Sequence, residues 1–172
     1  MHQLHLLRHT KSSWDEDTDD RERPLNKRGR EAARLVGEAL PTTIGALDLV
    51  LCSSALRTRE TAQLALAGFG KELQLLFEDQ LYLANRTTLL ERLRQIDEPM
   101  GSVMVIGHNP GLHELALALA APASAGYKAL AEGKFPTGVR ASFAVATRWS
   151  AIESEHHRLA GYVTVKSLGG KD

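Results

Sequence analysis

The sequence predicts a single α/β domain: a three-layer α/β/α sandwich around a mostly parallel central sheet. Two observations predict it. Short apolar runs alternate with longer segments of helical periodicity along the 172 residues, the pattern of strands joined by crossover helices. Three of those runs also stop abruptly in polar clusters, Arg8-His9, Cys52-Ser53-Ser54 and Gly107-His108-Asn109. Parallel sheets bind ligands beyond the carboxyl ends of their strands, so these distant clusters are expected to meet. The length fits one domain over residues 1–172, and no repeat, low-complexity tract or linker divides it.

The elements follow in order. Leu4 to Leu7 reads as a buried strand ending at Arg8 and His9. Residues 11–24 are polar and rich in Asp, an exposed loop. Asn26 can cap a helix reaching about Leu40, with Ala32, Ala33, Val36 and Leu40 on one face and Pro41 and Gly45 around its end. Leu47 to Cys52 is the second strand. Ser53-Ser54 is expected to cap a helix carrying Arg57, Thr58 and Thr61 near its start. Leu73 to Phe77 is a third strand. Thr88 and Glu91 have capping-box spacing for a helix to about Ile96. Ser102 to Ile106 is a strongly apolar strand, closed by Gly107-His108-Asn109-Pro110-Gly111 and followed by a helix from about Leu112 to Ala120. A short helix over Gly126 to Gly133 and strands over Ala141 to Thr147 and Arg158 to Val165 complete the set. Residues 169–172 are expected to fray.

Composition narrows the function classes. Lys plus Arg and Asp plus Glu are both 21, so no global basic field marks a nucleic-acid binder. Hydrophobic residues at 43% and charged residues at 24% suit a soluble core. The single cysteine, Cys52, excludes an internal disulfide and fits a reducing compartment. The N-terminal run has no basic lead-in and ends at Arg8, unlike a signal peptide. Leu112 to Ala121 is too short and too polar to span a bilayer. A cytoplasmic protein is expected, without a membrane or nucleic-acid partner.

The polar clusters carry phosphoryl chemistry. A neutral imidazole at His9 is a competent nucleophile toward phosphorus. The adjacent Arg8 guanidinium offers paired donors to phosphate oxygens, and its charge disfavours the imidazolium. Arg57 follows two hydroxyls at a helix start, where amides and the helix dipole favour an anion. His108, in its Gly/Pro-rich turn, can donate to another phosphoryl oxygen. Each residue also has a plain structural reading; their shared sheet edge is what gives them weight together.

On these residues the sequence resembles the histidine phosphatase superfamily, with its phosphoglycerate mutase-like fold, and within it the SixA type of phosphohistidine phosphatase. The matching stretches are LLRHTKSSW at 6–14, RPLNKRGREAA at 23–33, CSSALRTRETA at 52–62, EDQLYLA at 78–84, VIGHNPGL at 105–112 and FPTG at 135–138. They span nearly the whole chain in family order. The resemblance implies that His9 accepts the phosphoryl group, that Arg8, Arg57 and His108 bind it, and that Asn109 contributes its backbone amide. Water would then hydrolyse the phosphohistidine, with no metal or cofactor. The expected substrate is a phosphorylated protein, such as a histidine phosphotransfer domain; the alternative is a small phosphate ester or a mutase reaction. Aligning on Tyr82 makes Asp79 the candidate general acid, with Glu78 beside it. Thr10 stands where many relatives have Gly, and Asp15 where mutase-like relatives often carry Asn.

Three other chemistries fit less well. Between Cys52 and Arg57 lie four residues, not the five of a cysteine-phosphatase loop. His108 and His113 lack the spacing of a zinc helix, and adjacent His156-His157 side chains diverge on regular structure. Gly68-Phe69-Gly70-Lys71 lacks the first glycine and the hydroxyl of a P-loop. Trp14 and the acidic run to Asp20 form either a solvated loop or a rim beside the nucleophile.

Overall fold

The structure, a computed structural model, describes residues 1–14, 17–154 and 157–171. In chain order it forms β1 (His2–Arg8), α1 (Lys27–Ile44), β2 (Leu49–Ser53), α2 (Leu56–Ala65), β3 (Gln74–Glu78), α3 (Arg86–Arg94), β4 (Ser102–Gly107), α4 (Gly111–Leu119), α5 (Tyr127–Glu132), β5 (Arg140–Val145) and β6 (Arg158–Val163). Short 3-10 turns lie at Asp20–Glu22, Asp79–Leu81, Trp149–Ala151 and Lys166–Leu168. The six-stranded sheet has the order β3-β2-β4-β1-β5-β6. The pairs β2-β3, β2-β4 and β1-β4 are parallel, whereas β5 runs antiparallel to both of its neighbours.

Register places the site. Arg8 lies opposite Gly107, and Cys52 opposite Ile106, so β1, β4 and β2 end at one level. The polar clusters after them therefore form one edge.

Period-two alternation divides the core into two layers. Leu4, Leu6, Leu51, Val103 and Val105 pack with α3, α4 and α5 through Leu89, Leu93, Leu112, Leu115 and Leu130. Leu7, Val50, Cys52, Met104 and Ile106 pack on the other face with α1 and α2 through Val36, Leu40, Ala62 and Ala65. Many of these side chains are fully buried, and each such leucine contributes about 1.5–3 kcal/mol of transfer free energy.

Local details depart from sequence expectation for physical reasons. Helix α1 does not end before Pro41 but runs one turn further, to Gly45 at φ 69°. Pro41 removes one backbone donor, while Leu40 and Ile44 both reach the core. Neither Ser53 nor Ser54 is the cap of α2; the cap position is Ala55, while Ser53 Oγ meets His108 Nε2 and Ser54 Oγ accepts from Arg21. The cap of α3 is Asn85, whose side chain accepts from the Thr88 amide; Thr88 lies inside the helix. Residues 169–171 do not simply fray, since the Gly170 amide donates to the Val165 carbonyl at 3.0 Å. Asp15 and His156, singled out in the sequence, lie outside the described residues.

Candidate active site

Beyond the carboxyl ends of β1, β2 and β4 lies a cleft of about 520 Å³. Its walls include Arg8, His9, Arg57, His108 and Asn109, together with Asp20, Arg23, Lys11 and Trp14. Stretches far apart in sequence thus converge at the expected sheet edge. Gly29 makes this close approach possible: a Cβ there would fall 1.9 Å from the Lys11 carbonyl oxygen, so the first turn of α1 seats directly on the loop that follows His9.

His9 is buried, and its Nδ1 lies 2.7 Å from the Thr10 carbonyl oxygen. A carbonyl only accepts, so Nδ1 carries the proton and Nε2 keeps its lone pair. Burial lowers the His9 pKa to about 3, opposed by the Thr10 bond and reinforced by the smaller effects of the Arg8, Arg57 and Arg23 charges. The ring is therefore neutral at neutral pH with Nε2 unprotonated, the form a nucleophile toward phosphorus requires. His108 faces it with ring centroids 5.4 Å apart. Burial, followed by His9 and Arg57, depresses the His108 pKa to about 3 as well.

Donors in the cleft lack acceptors. Among the described residues, Arg8 Nε, Arg57 Nε and His108 Nδ1 are buried with no hydrogen-bond partner. His108 Nε2 sits 2.7 Å from Ser53 Oγ; with the serine donating, Nδ1 keeps the ring proton and is free to donate. Arg8 Nη1 donates to the Phe135 carbonyl at 3.0 Å. Phe135 has φ 52°, a left-handed conformation costing a non-glycine residue about 1 kcal/mol or more. The same carbonyl accepts from Asn109 Nδ2 at 3.0 Å. Two residues of the cleft thus hang on one oxygen. Buried polar atoms are seldom left unsatisfied without reason, and three orphaned N–H groups around a neutral imidazole suit an oxyanion.

The sequence reading missed Asp20. Arg57 donates to its backbone oxygen at 2.7 Å and to its carboxylate at 3.0 Å. Arg23 Nε donates to the same carboxylate at 3.1 Å, and the Tyr82 hydroxyl donates a short bond to it. The Tyr82 bond foremost, reinforced by Arg57 and Arg23, lowers the Asp20 pKa to about 2. Asp20 lies in an acidic run that resembles ordinary loop solvation; its position three residues before Arg23 was the available signal. Trp14 lines the cleft with Arg23 stacked 3.5 Å over its ring, so Trp14 and Asp20 stand at its rim.

The two candidate acids sit elsewhere. Asp79 is 86% exposed at its side chain and pairs with Arg21 at 2.9 Å. That guanidinium also donates to Ser54 Oγ at 2.6 Å. Glu78 is held by the fork of Arg92 at 2.8 and 2.9 Å. Neither lines the cleft. Cys52 is fully buried, and burial pushes its thiol up to about 12. Among the described residues no group of three or more His, Cys, Asp or Glu is placed to hold a metal ion, and no helix is long and apolar enough to cross a membrane.

Comparison with known proteins agrees with this geometry. Residues 4–81 match the model of the histidine phosphatase superfamily, branch 1. An uncharacterized protein of Mycobacterium tuberculosis is 35% identical over 159 residues, covering 91% of this chain and 98% of that relative. Among solved structures, a Nakamurella multipartitia protein assigned as the phosphohistidine phosphatase SixA superposes with TM-score 0.82 at 26% identity, over 95% of both chains. The Agrobacterium tumefaciens protein given the same assignment has TM-score 0.75 at 27% identity, over 95% of this chain and 97% of that one.

Proposed function

Because this chain belongs to the histidine phosphatase superfamily, as a SixA-type hydrolase acting on phosphoryl groups, we propose that it removes phosphate from phosphohistidine on a protein, through a covalent intermediate on His9. The observation that carries this reading is that Arg8, Arg57 and His108, each with a buried N–H that has no partner, line one cleft with an imidazole whose Nε2 is unprotonated.

The sequence of events follows from the groups present. A phosphoryl group entering the cleft takes the N–H bonds of Arg8, Arg57 and His108. His9 Nε2 attacks phosphorus, an N–P bond forms, and the bond to the leaving group breaks. Water then attacks the phosphohistidine, releasing inorganic phosphate and restoring the neutral ring. No step requires a metal. Preorganised positive charge supplies most of the acceleration. Protonation of the leaving group decides between substrates. The carboxylate lining the cleft, Asp20, is held ionised at a pKa of about 2 and has no proton to give at neutral pH. An alkoxide leaving from an ester needs one. An imidazole leaving from phosphohistidine, already protonated at its other nitrogen, does not.

The test is phosphate release from a phosphorylated histidine phosphotransfer domain in EDTA, compared with sugar and glycerate phosphates. Expected are turnover of the phosphoprotein, acid-labile phosphate trapped on the enzyme, and loss of both in His9→Ala. Brisk turnover of esters alone would reject the substrate; unchanged turnover in His9→Ala would reject the chemistry.

Lys11 and Arg23 favour a second reading. They line the cleft beyond the phosphoryl-holding residues and could meet a second anionic group on a small phosphate ester, in a phosphomonoesterase or mutase. Asp79 is then the candidate proton donor, once released from Arg21. On that reading Asp79→Asn lowers ester turnover, and a mutase yields an isomeric ester instead of free phosphate.

A further inference from the structure

The sheet face under α1 carries a second polar pocket, sharing no wall residue with the catalytic cleft. On β1 and β5 the residues facing the opposite layer are apolar: Leu4, Leu6, Ala141, Phe143 and Val145. Their alternates on this side are His5, Arg140 and Ser142. Pairing sets His5 opposite Ser142, and Leu7 opposite Arg140. All three polar residues are buried, Arg140 to 5% exposure. They have no catalytic role in the reading above.

The proton inventory of this trio is one-sided. Arg140 Nη1 donates to Ser142 Oγ, its one hydrogen-bond partner among the described residues. An arginine N–H cannot accept, so the serine oxygen takes that proton and its own hydroxyl is free to donate to His5 Nδ1, 2.7 Å away. His5 then carries its ring proton on Nε2, which is buried with nothing to accept it. Burial, then the charge of Arg140, keeps the ring neutral. No described carboxylate pairs with Arg140. A buried guanidinium without a counter-charge is unfavourable, so the arrangement suits an anionic acceptor.

The groove over it has the room. It measures about 380 Å³ and is also bordered by Thr43, near the end of α1, and by Arg158 on β6; no Asp or Glu is among its wall residues. Arg158 is exposed at the mouth, opposite Ala144 in register. We propose that this groove is a second oxyanion site, taking a small phosphate- or carboxylate-bearing ligand on Arg140 and Arg158. Guanidiniums match both headgroups with paired charge-assisted bonds. Its volume exceeds that of a bare phosphate ion and suits a small metabolite.

Titration of the full-length protein with inorganic phosphate, read by amide NMR in the Arg57→Gln background, separates this site from the catalytic cleft. Saturable shifts confined to residues 140–144 and 158–161 are expected. Arg158→Gln, at an exposed position that folding tolerates, is expected to weaken binding roughly tenfold, the loss of about one charge-assisted bond. Arg140→Gln is expected to abolish it. Succinate as a parallel probe tells a carboxylate ligand from a phosphate one. If neither probe shifts these amides at concentrations saturating the wild-type cleft, or if Arg158→Gln binds unchanged, the site does not exist.

Discussion

Lowering the pH from 7 to 5 is expected to destabilise this fold far more than an ordinary domain. His5, His9 and His108 are among its buried imidazoles. Their pKa values fall to about 4, 3 and 3 respectively, each through burial before any charge effect. In the unfolded chain each returns to about 6.5. A depressed folded pKa means that the unfolded state binds protons first as pH falls. The stabilising contribution is therefore complete above pH 6.5 and lost progressively toward pH 3–4. At pH 5 each group has lost about 2 kcal/mol, and the three together about 6 kcal/mol, an upper figure since His9 and His108 titrate as neighbours. That approaches the whole stability of a typical domain, about 5–15 kcal/mol. Asp20 acts in the same direction, but only below its ordinary value of 3.8 and toward about 2, outside this interval. Urea midpoints followed by circular dichroism between pH 7.5 and 5 measure the effect, and imidazole proton shifts assign it. A flat midpoint over that range, or a His9 ring titrating near 6.5, would refute the burial argument and the neutral nucleophile with it.

Four further outcomes follow. Arg57→Ala removes one of the positive charges of the cleft and is expected to lower kcat/KM about 10²–10³-fold, measured on a phosphorylated histidine phosphotransfer domain. Asp20→Asn removes a negative charge from the cleft and is expected to tighten inhibition by inorganic phosphate about tenfold; weaker inhibition would contradict a competing carboxylate. Gly29→Ala drives a methyl group against the Lys11 carbonyl and should cost about 1–3 kcal/mol in chemical unfolding, with some loss of activity because the displaced loop follows His9. Cys52 is buried with its thiol pushed up to about 12, so native protein is expected to resist iodoacetamide and keep its activity.

What could be read from the sequence was set by chain direction and side-chain period. Arg8-His9 and Gly107-His108 were legible because apolar runs end there, and parallel strands ending together need no detailed geometry to be inferred. Arg57 was legible because α2 follows β2 without a long loop. Helix ends were less so: Asn85 and Thr88 are both good caps, and only the chain path after the Asp79–Leu81 turn selects the first. Pro41 shows the limit of local rules, since burial of Ile44 outweighs one missing donor. Asp20 was hidden for a different reason. Acidic loops have no period, and what distinguishes this carboxylate from its neighbours is that Arg57, Arg23 and Tyr82 arrive from other parts of the chain.

That carboxylate also bears on how the cleft can turn over. Arg8, Lys11, Arg23 and Arg57 bring four positive charges to it, and with His9 and His108 neutral, Asp20 is the one carboxylate among its described walls. The remaining excess of positive charge favours an incoming phosphoryl dianion. Asp20 holds two of those arginines. A phosphoryl group therefore gains only the difference between its own bonds to Arg57 and those the carboxylate already makes. The same difference applies to inorganic phosphate on its way out. Interactions equal in substrate, transition state and product add nothing to turnover. A competing carboxylate trims that uniform part, while leaving the Nε groups of Arg8 and Arg57 and Nδ1 of His108 unsatisfied and available as charge spreads over the transferring oxygens.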